Sequence, residues 1–236
     1  IPAHYPAGTL NYKGEDLGGK IAAPSNFKNV SNPFGMVNYS HPMDKTERWV
    51  GDIYLEITPL KGLVYRSDIS YDLSHVNHRL FKDAYYISSN DYSDKNFLER
   101  SMSRYATMIW ENTLTYSKQI KDHDFSIMAG HTTEEYNYYN IGGSGSQILN
   151  PTSNNWYLSQ TTQDRNEAGD GVDRLRRLSF LGRLHYSYKN RYLATANFRA
   201  DGSNKFPENN WGFFPSVALG WKMSEENWMK GLEKID

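Results

Sequence analysis

The chain has 236 residues, of which 26 are Lys or Arg and 27 are Asp or Glu, so its formal net charge is -1. Interspersed charges of both signs give no basic patch for a nucleic-acid partner and no polybasic membrane anchor. The absence of cysteine excludes disulfides, thiol catalysis and cysteine-bound zinc. No run approaches the roughly 18 apolar residues of a spanning helix, whereas a transmembrane strand needs only every second residue to be apolar.

The first strands follow a long N-terminal loop. Residues 1–46 are rich in Gly, Pro, Asn and Ser and show no sustained hydrophobic period, which predicts a loop region. From Trp49 to Ile57 the odd positions are mainly apolar and the even positions mainly polar, which predicts a strand with one apolar face. A turn at residues 59–62 and a second alternating run from 63 to 73 complete a hairpin.

The same alternation recurs along the chain. It predicts strands at residues 107–116, 125–129, 178–188, 192–198 and 213–221. Together these predict an all-β fold, an antiparallel up-and-down meander of about seven long strands over residues 47–223. Residues 224–236 are predicted to form a turn with a short helix, because Ser224 can cap a helix that begins with acidic residues.

The connections between the predicted strands alternate between short and long. They are short at 59–62, 118–123 and 189–191, and long at 76–104, 140–176 and 202–212. An outer-membrane barrel has short periplasmic turns and long extracellular loops. We therefore predict such a barrel in the bacterial outer membrane, with residues 1–46 extracellular and residues 224–236 periplasmic.

Aromatic residues on the apolar face predict two membrane girdles, because Tyr and Trp favour the lipid headgroup boundary. One girdle lies next to the short turns and the other at the opposite strand ends. The predicted girdle residues are Tyr116, Phe125, Tyr188, Tyr192 and Trp221 at the short-turn end, and Trp49 and Tyr71 at the other.

The polar face and two loop aromatics are the candidates for ligand binding. Polar residues on the inner wall of a barrel either contact cargo or pair with one another across strands. The candidates are Asp52, Glu56, Arg66, Asp68, Glu111, Arg183, His185 and Arg199, with Trp156 and Tyr157 as loop aromatics that could stack on sugar rings.

The sequence gives no basis for catalysis, a metal or a cofactor. It contains neither a G-x-S-x-G elbow nor an H-E-x-x-H helix. The segment from Asp164 resembles the start of an EF-hand loop, but Leu175 stands where a bidentate Glu is needed. His75 and His78, three residues apart in a predicted loop, fit a surface pair better than a metal site. We predict that the chain is not an enzyme.

Three stretches carry a family resemblance. They read GDIYLEITPLKGL at 51–63, WENTLTY at 110–116, and RADGSNKF at 199–206 followed by WGFFPSVALGWKMSEE at 211–226. They resemble barrel segments of the SusC-like TonB-dependent outer-membrane transporters. The last stretch is the most specific, because its D-G-S, G-F-F-P-S and G-W-x-x-S-E-E elements occur in the family's order and spacing.

The resemblance implies a 22-stranded barrel closed by a plug, driven through TonB and covered by a SusD-like lipoprotein. It also implies import of oligosaccharides or peptides, and we expect this chain to be a central segment that holds seven of the strands. The residues alone leave an alternative, a soluble glycan-binding β domain. That alternative would place the apolar residues of the alternating strands in a closed interior.

Overall fold

The computed structural model describes residues 33–88, 91–164, 169–208 and 210–229. These ranges contain one short helix, ten strands and three single turns of 3₁₀ helix. The helix is α1 (Pro33–Tyr39), and the strands are β1 (Ser40–Leu60), β2 (Leu63–Lys82), β3 (Tyr85–Ser88), β4 (Asp91–Ser93), β5 (Phe97–Ile120), β6 (His123–Ile148), β7 (Thr161–Gln163), β8 (Gly169–Tyr188), β9 (Tyr192–Ser203) and β10 (Trp211–Trp221). The 3₁₀ turns are Ser153–Asn155, Leu158–Gln160 and Met223–Glu225. No helix among the described residues is long and apolar enough to cross a membrane.

The seven long strands form one sheet in the order β1-β2-β5-β6-β8-β9-β10. Each long strand thus pairs with the next one along the chain, which is an up-and-down meander. The predicted antiparallel seven-stranded architecture is confirmed. The short strand β7 pairs with β6, and β3 pairs with β4 in a separate hairpin.

The strands are longer than the sequence predicted. Predicted strands of roughly 10 to 13 residues are set by the alternation of apolar and polar residues, whereas β5 has 24 residues and β6 has 26. Much of the predicted long connections 76–104 and 140–176 is therefore strand. Backbone pairing continues there although the regular alternation of apolar and polar residues stops, so the hydrophobic period that marked the strands is lost.

The N-terminal part of the sheet also begins earlier than predicted. β1 begins at Ser40 rather than at residue 47, and α1 precedes it. The prediction of a loop over residues 1–46 is therefore wrong for residues 33–46. Its remaining part, residues 1–32, lies outside the described residues.

The chain forms two compact units. The described part of unit 1 takes in residues 33–47, 75–88, 91–104, 139–164 and 169–172. Phe81, Leu98 and Ile148 form its buried hydrophobic cluster, with Trp156 and Leu158 packed against them. Trp156 comes from the connection between β6 and β7, so this connection helps to form the small core of the unit.

Unit 2 takes in residues 48–74, 105–138 and the described residues from 173 to 229. The buried hydrophobic residues described there are only Ala106 and Ala200. Its large apolar side chains are thus not collected in a core. The register of its strands places Tyr188, Tyr192 and Trp221 side by side across β8, β9 and β10.

Candidate functional site

One face of the unit 2 sheet is apolar and exposed. Ile53 is 74% exposed, Val217 75% and Leu219 83%. Cross-strand pairing aligns Val217 with Ala196 and Ala196 with Leu184, so apolar residues continue along the same face of neighbouring strands. A soluble domain would bury such a face. The exposure of these side chains argues against the soluble alternative and fits a sheet whose outer face contacts lipid.

The predicted girdle residues lie on this apolar face. Trp49 is 70% exposed and Trp221 51%. Next to the short turns, the rings of Tyr188 and Tyr192 stack with their centroids 6.2 Å apart, and those of Phe125 and Tyr186 are 5.0 Å apart. Tyr116 and Tyr71 are also exposed. The role of these residues as membrane girdles stays a prediction.

The opposite face carries paired charges on β1 and β2. The guanidinium of Arg66 lies 2.9 Å from a carboxylate oxygen of Asp68 and 3.8 Å from one of Glu56. It also lies 4.0 Å from the centre of the Tyr54 ring. Three of the predicted ligand-binding residues, Glu56, Arg66 and Asp68, therefore form one cluster, in which the guanidinium contacts two carboxylates and the ring of Tyr54.

A second polar cluster lies on β8, β9 and β10. Arg199 binds Asp201 through a 2.7 Å hydrogen bond and donates to the Ser179 hydroxyl at 3.1 Å. The Nε of Arg183 donates to Asn197 at 2.8 Å, and no carboxylate of the described residues pairs with this guanidinium. The cation of Arg183 is therefore less neutralised than that of Arg199.

The remaining polar candidates of unit 2 are dispersed along the same face. His185 is 2.9 Å from the Thr195 hydroxyl, and Thr132 donates a 3.1 Å hydrogen bond to Glu111. Asp52 has no hydrogen-bond or ion-pair partner for its side chain among the described residues. The predicted residues thus form a polar wall of small groups rather than a single pocket.

The two predicted loop aromatics differ in their surroundings. Trp156 in unit 1 stacks on Phe81 at 4.3 Å between ring centroids, and Arg79 lies 4.9 Å from its centre. Tyr157 is 54% exposed and has Arg100 5.5 Å from its ring centre. The Trp156 ring is thus engaged by its own unit, whereas Tyr157 offers an open ring. Binding of sugar by either residue stays a prediction.

The apolar face contains hydrogen bonds that the sequence analysis missed. The Tyr65 hydroxyl donates to Asn112 at 2.7 Å, and the Trp110 indole N–H donates to Ser67 at 3.0 Å. Asn112 is buried although it alternates in phase with Trp110 and Leu114. These bonds satisfy the Tyr65 hydroxyl, the Trp110 indole N–H and the Asn112 carbonyl oxygen, whereas the buried Asn112 Nδ2 has no hydrogen-bond partner among the described residues. The only sign of this contact in the sequence is that Asn112 occupies a position of the apolar face, between Trp110 and Leu114.

The described residues after β10 depart from the predicted capped helix, and the rest of that prediction, residues 230–236, lies outside the described residues. Up to residue 229 there is a single 3₁₀ turn, Met223–Glu225, without a side-chain cap. The carboxylate of Glu226 instead accepts hydrogen bonds from Tyr192 at 2.6 Å, Arg191 at 3.1 Å and Trp221 at 3.2 Å. These donors, Tyr192 first and Trp221 next, lower the pKa of Glu226 below its ordinary value of 4.5. Glu226 thus fastens the turn to β9 and β10.

Comparisons with known proteins agree with this architecture. No protein-family model matches the chain. The TonB-dependent receptor SusC of Bacteroides thetaiotaomicron is 37% identical over 124 residues, which cover 51% of this chain and 12% of that protein. The TonB-dependent receptor P26 of Formosa agariphila is 28% identical over 211 residues, 86% of this chain and 21% of that receptor.

Solved structures show the same fold. A structure of the RagAB peptide transporter matches 91% of this chain and 24% of its own chain, with a TM-score of 0.76 and 20% sequence identity. The RagAB peptide importer in its closed-closed state matches 90% of this chain with a TM-score of 0.74 and 19% identity. The chain spans no more than about a quarter of the length of the proteins it matches.

Proposed function

Because this chain is a barrel segment of the SusC-like TonB-dependent receptors, which are bacterial outer-membrane proteins, we propose that it forms part of the wall of a nutrient importer. The observation that carries the proposal is the difference between the two faces of the unit 2 sheet. Val217 and Leu219 are exposed on the apolar face, whereas hydrogen-bonded charged groups such as Arg199 and Asp201 occupy the polar face. Alternation of lipid-facing and lumen-facing residues is the signature of a transmembrane barrel strand.

The cargo proposed for the complete importer is an oligosaccharide or a peptide. The polar face supplies both donors and acceptors, because its guanidinium groups lie beside carboxylates and amides. A sugar hydroxyl or a peptide group can bind such a wall without a large change in charge. Among these residues Arg183 is the strongest candidate for contact with cargo, since its guanidinium has no carboxylate partner among the described residues.

The proposed partners are a SusD-like lipoprotein that covers the extracellular opening and TonB, which would act through a plug. Support comes from the 37% identity to the receptor SusC over half of this chain, and from the likeness of fold to the RagAB transporter. In this arrangement the long connections face the cell exterior and the short turns face the periplasm. Tyr157 would then lie on the side from which cargo arrives.

Uptake by cells of the native host tests this function. Deletion of the gene should abolish uptake of either labelled oligosaccharides or labelled peptides, and the affected class identifies the cargo. Arg183→Ala in the intact protein should slow that uptake several-fold, because it removes a donor from the polar face. Leu219→Ala is the matched control on the opposite face and should leave uptake unchanged. Unchanged uptake of both classes after deletion would refute the proposal.

A further inference from the structure

We propose that the short-turn end of the unit 2 sheet binds anionic phospholipid, through a row of lysines beside the aromatic residues of the apolar face. The lysine row consists of Lys61, Lys118, Lys121, Lys189 and Lys222. The inference depends on the proposed function only for orientation, which places this end in the periplasmic leaflet. The ligand is the phosphodiester headgroup of a lipid such as phosphatidylglycerol or cardiolipin.

Backbone hydrogen bonds bring the turns of the lysine row together. The Ser117 amide donates to the Gly62 carbonyl at 2.7 Å, and the Lys189 amide donates to the Asp122 carbonyl at 2.7 Å. The Lys222 amide donates to the Arg191 carbonyl at 2.8 Å. Successive turns therefore lie side by side, which places the five lysines along one end of the sheet.

The lysines of this row differ from other lysines of the chain in their ionic contacts. Among the described residues none of the five forms an ion pair with Asp or Glu. By contrast, Lys45, Lys95 and Lys205, which lie toward the long connections, each approach a carboxylate oxygen within 3.0 Å. The buried carboxylate of Glu226, which lies close to Lys222 in the sequence, accepts hydrogen bonds from Arg191, Tyr192 and Trp221 rather than from a lysine. The row thus keeps its positive charge available for an external anion.

Two lysines of the row occupy backbone conformations that favour glycine or asparagine. Lys121 and Lys189 both have φ of 52°, in the left-handed region that residues with a Cβ adopt at a cost. Glycine would fold these turns with less strain. A lysine in a conformation that glycine would adopt with less strain points to a function of the lysine side chain. What that side chain adds is an ammonium group.

The position of Lys189 shows which lipid region the row meets. Its ammonium nitrogen lies 5.3 Å from the centre of the Tyr188 ring. Tyr188 aligns with Tyr192, and Tyr192 with Trp221, along the border of the apolar face that is nearest the short turns. Aromatic side chains at such a border lie at the level of lipid headgroups, so the adjacent ammonium groups lie beside the phosphates. Basic residues next to a membrane segment bind anionic headgroups by this geometry.

The test measures lipid retained by the intact detergent-purified protein in native mass spectrometry, with phosphatidylglycerol and phosphatidylcholine offered in equal amounts. Wild-type protein should retain phosphatidylglycerol preferentially. The triple variant Lys121→Gln, Lys189→Gln and Lys222→Gln should lose this preference by roughly fivefold per lysine. The matched control neutralises Lys45, Lys95 and Lys205 in the same way and should keep the preference, as should arginine at the three tested positions.

Several results would overturn the proposal. One is an absence of preference for phosphatidylglycerol in the wild-type protein, a measurement that needs no variant to fold. Another is an equal loss in the control variant, which would assign the effect to net charge. Displacement of the lipid by millimolar inorganic phosphate would show an adventitious phosphate site instead of a lipid site. Because lipid retention requires no transport, it can fail while the uptake experiment succeeds, or the reverse.

Discussion

Val217→Arg tests whether the apolar face contacts acyl chains. The 11 residues of β10 run from Trp211 to Trp221 and extend over about 34 Å at roughly 3.4 Å per step. A tilt of about 45° reduces this to roughly 24 Å along the membrane normal, close to the ~25 Å apolar band of outer-membrane barrels. Val217, one residue from the middle of the strand, then lies within about 3 Å of the bilayer midplane.

An arginine on the lipid face at this depth costs about 2 to 4 kcal/mol of folding free energy. In a soluble protein the same change at a side chain that is 75% exposed would cost no more than about 0.5 kcal/mol. The assay is urea-dependent folding of the intact protein into lipid vesicles, followed by the change in gel mobility that distinguishes folded from unfolded barrels.

Ala218→Arg is the matched control, because Ala218 neighbours Val217 on the same strand and lies on the opposite face. It introduces the same charge toward the polar side and should cost about 1 kcal/mol or less. If Val217→Arg costs no more than Ala218→Arg, the assignment of the apolar face to lipid is refuted.

Three further predictions use the same folding assay. Gly62→Ala should cost at least about 1 kcal/mol, because φ is +85° and a Cβ would overlap the neighbouring strand; Gly51→Ala meets no atom within 4 Å and should be near neutral. Phe81→Ala should cost about 3 to 5 kcal/mol, whereas Phe206→Ala, 61% exposed, should cost about 0.5. Because the pKa of Glu226 is lowered in the folded protein, its ionised carboxylate stabilises the fold above about pH 4.5, and this stabilisation is lost as the pH falls through the lowered pKa. Glu226→Gln should remove that part of the pH dependence of stability.

The membrane part of the fold could be predicted because its physical cause lies in local sequence. A strand with lipid on one side and polar groups on the other alternates with a period of two, and Trp49 to Ile57 shows that period without any knowledge of partners. Connection lengths supplied the topology. The length of β6, 26 residues, could not be predicted in this way, because the alternation of apolar and polar residues stops after Ala129 although the strand continues.

The contacts of the candidate site depended on residues far apart in sequence. Glu226 accepts a hydrogen bond from Tyr192, 34 positions earlier in the chain, next to the Ser224 at which the local sequence favoured a helix start. Trp156 was predicted as a loop aromatic that could stack on sugar rings, and its ring stacks on Phe81 of β2, 75 positions earlier in the chain. Membership of the polar face follows from parity, which the sequence does display, whereas the role of these residues in binding stays a prediction. The pairing of charges on the polar face depends on the register between neighbouring strands, and the sequence alone does not show that register.

Accessibility of single cysteines along β10 tests the central assignment most directly, because the chain has no cysteine of its own. Spin labels at Phe213→Cys, Val217→Cys and Leu219→Cys should be relaxed by lipid-soluble oxygen and protected from a water-soluble nickel complex in the intact protein in vesicles. Labels at Ser216→Cys and Ala218→Cys should show the opposite response. Equal access of the nickel complex to both sets would contradict a sheet with lipid on one side and an aqueous lumen on the other.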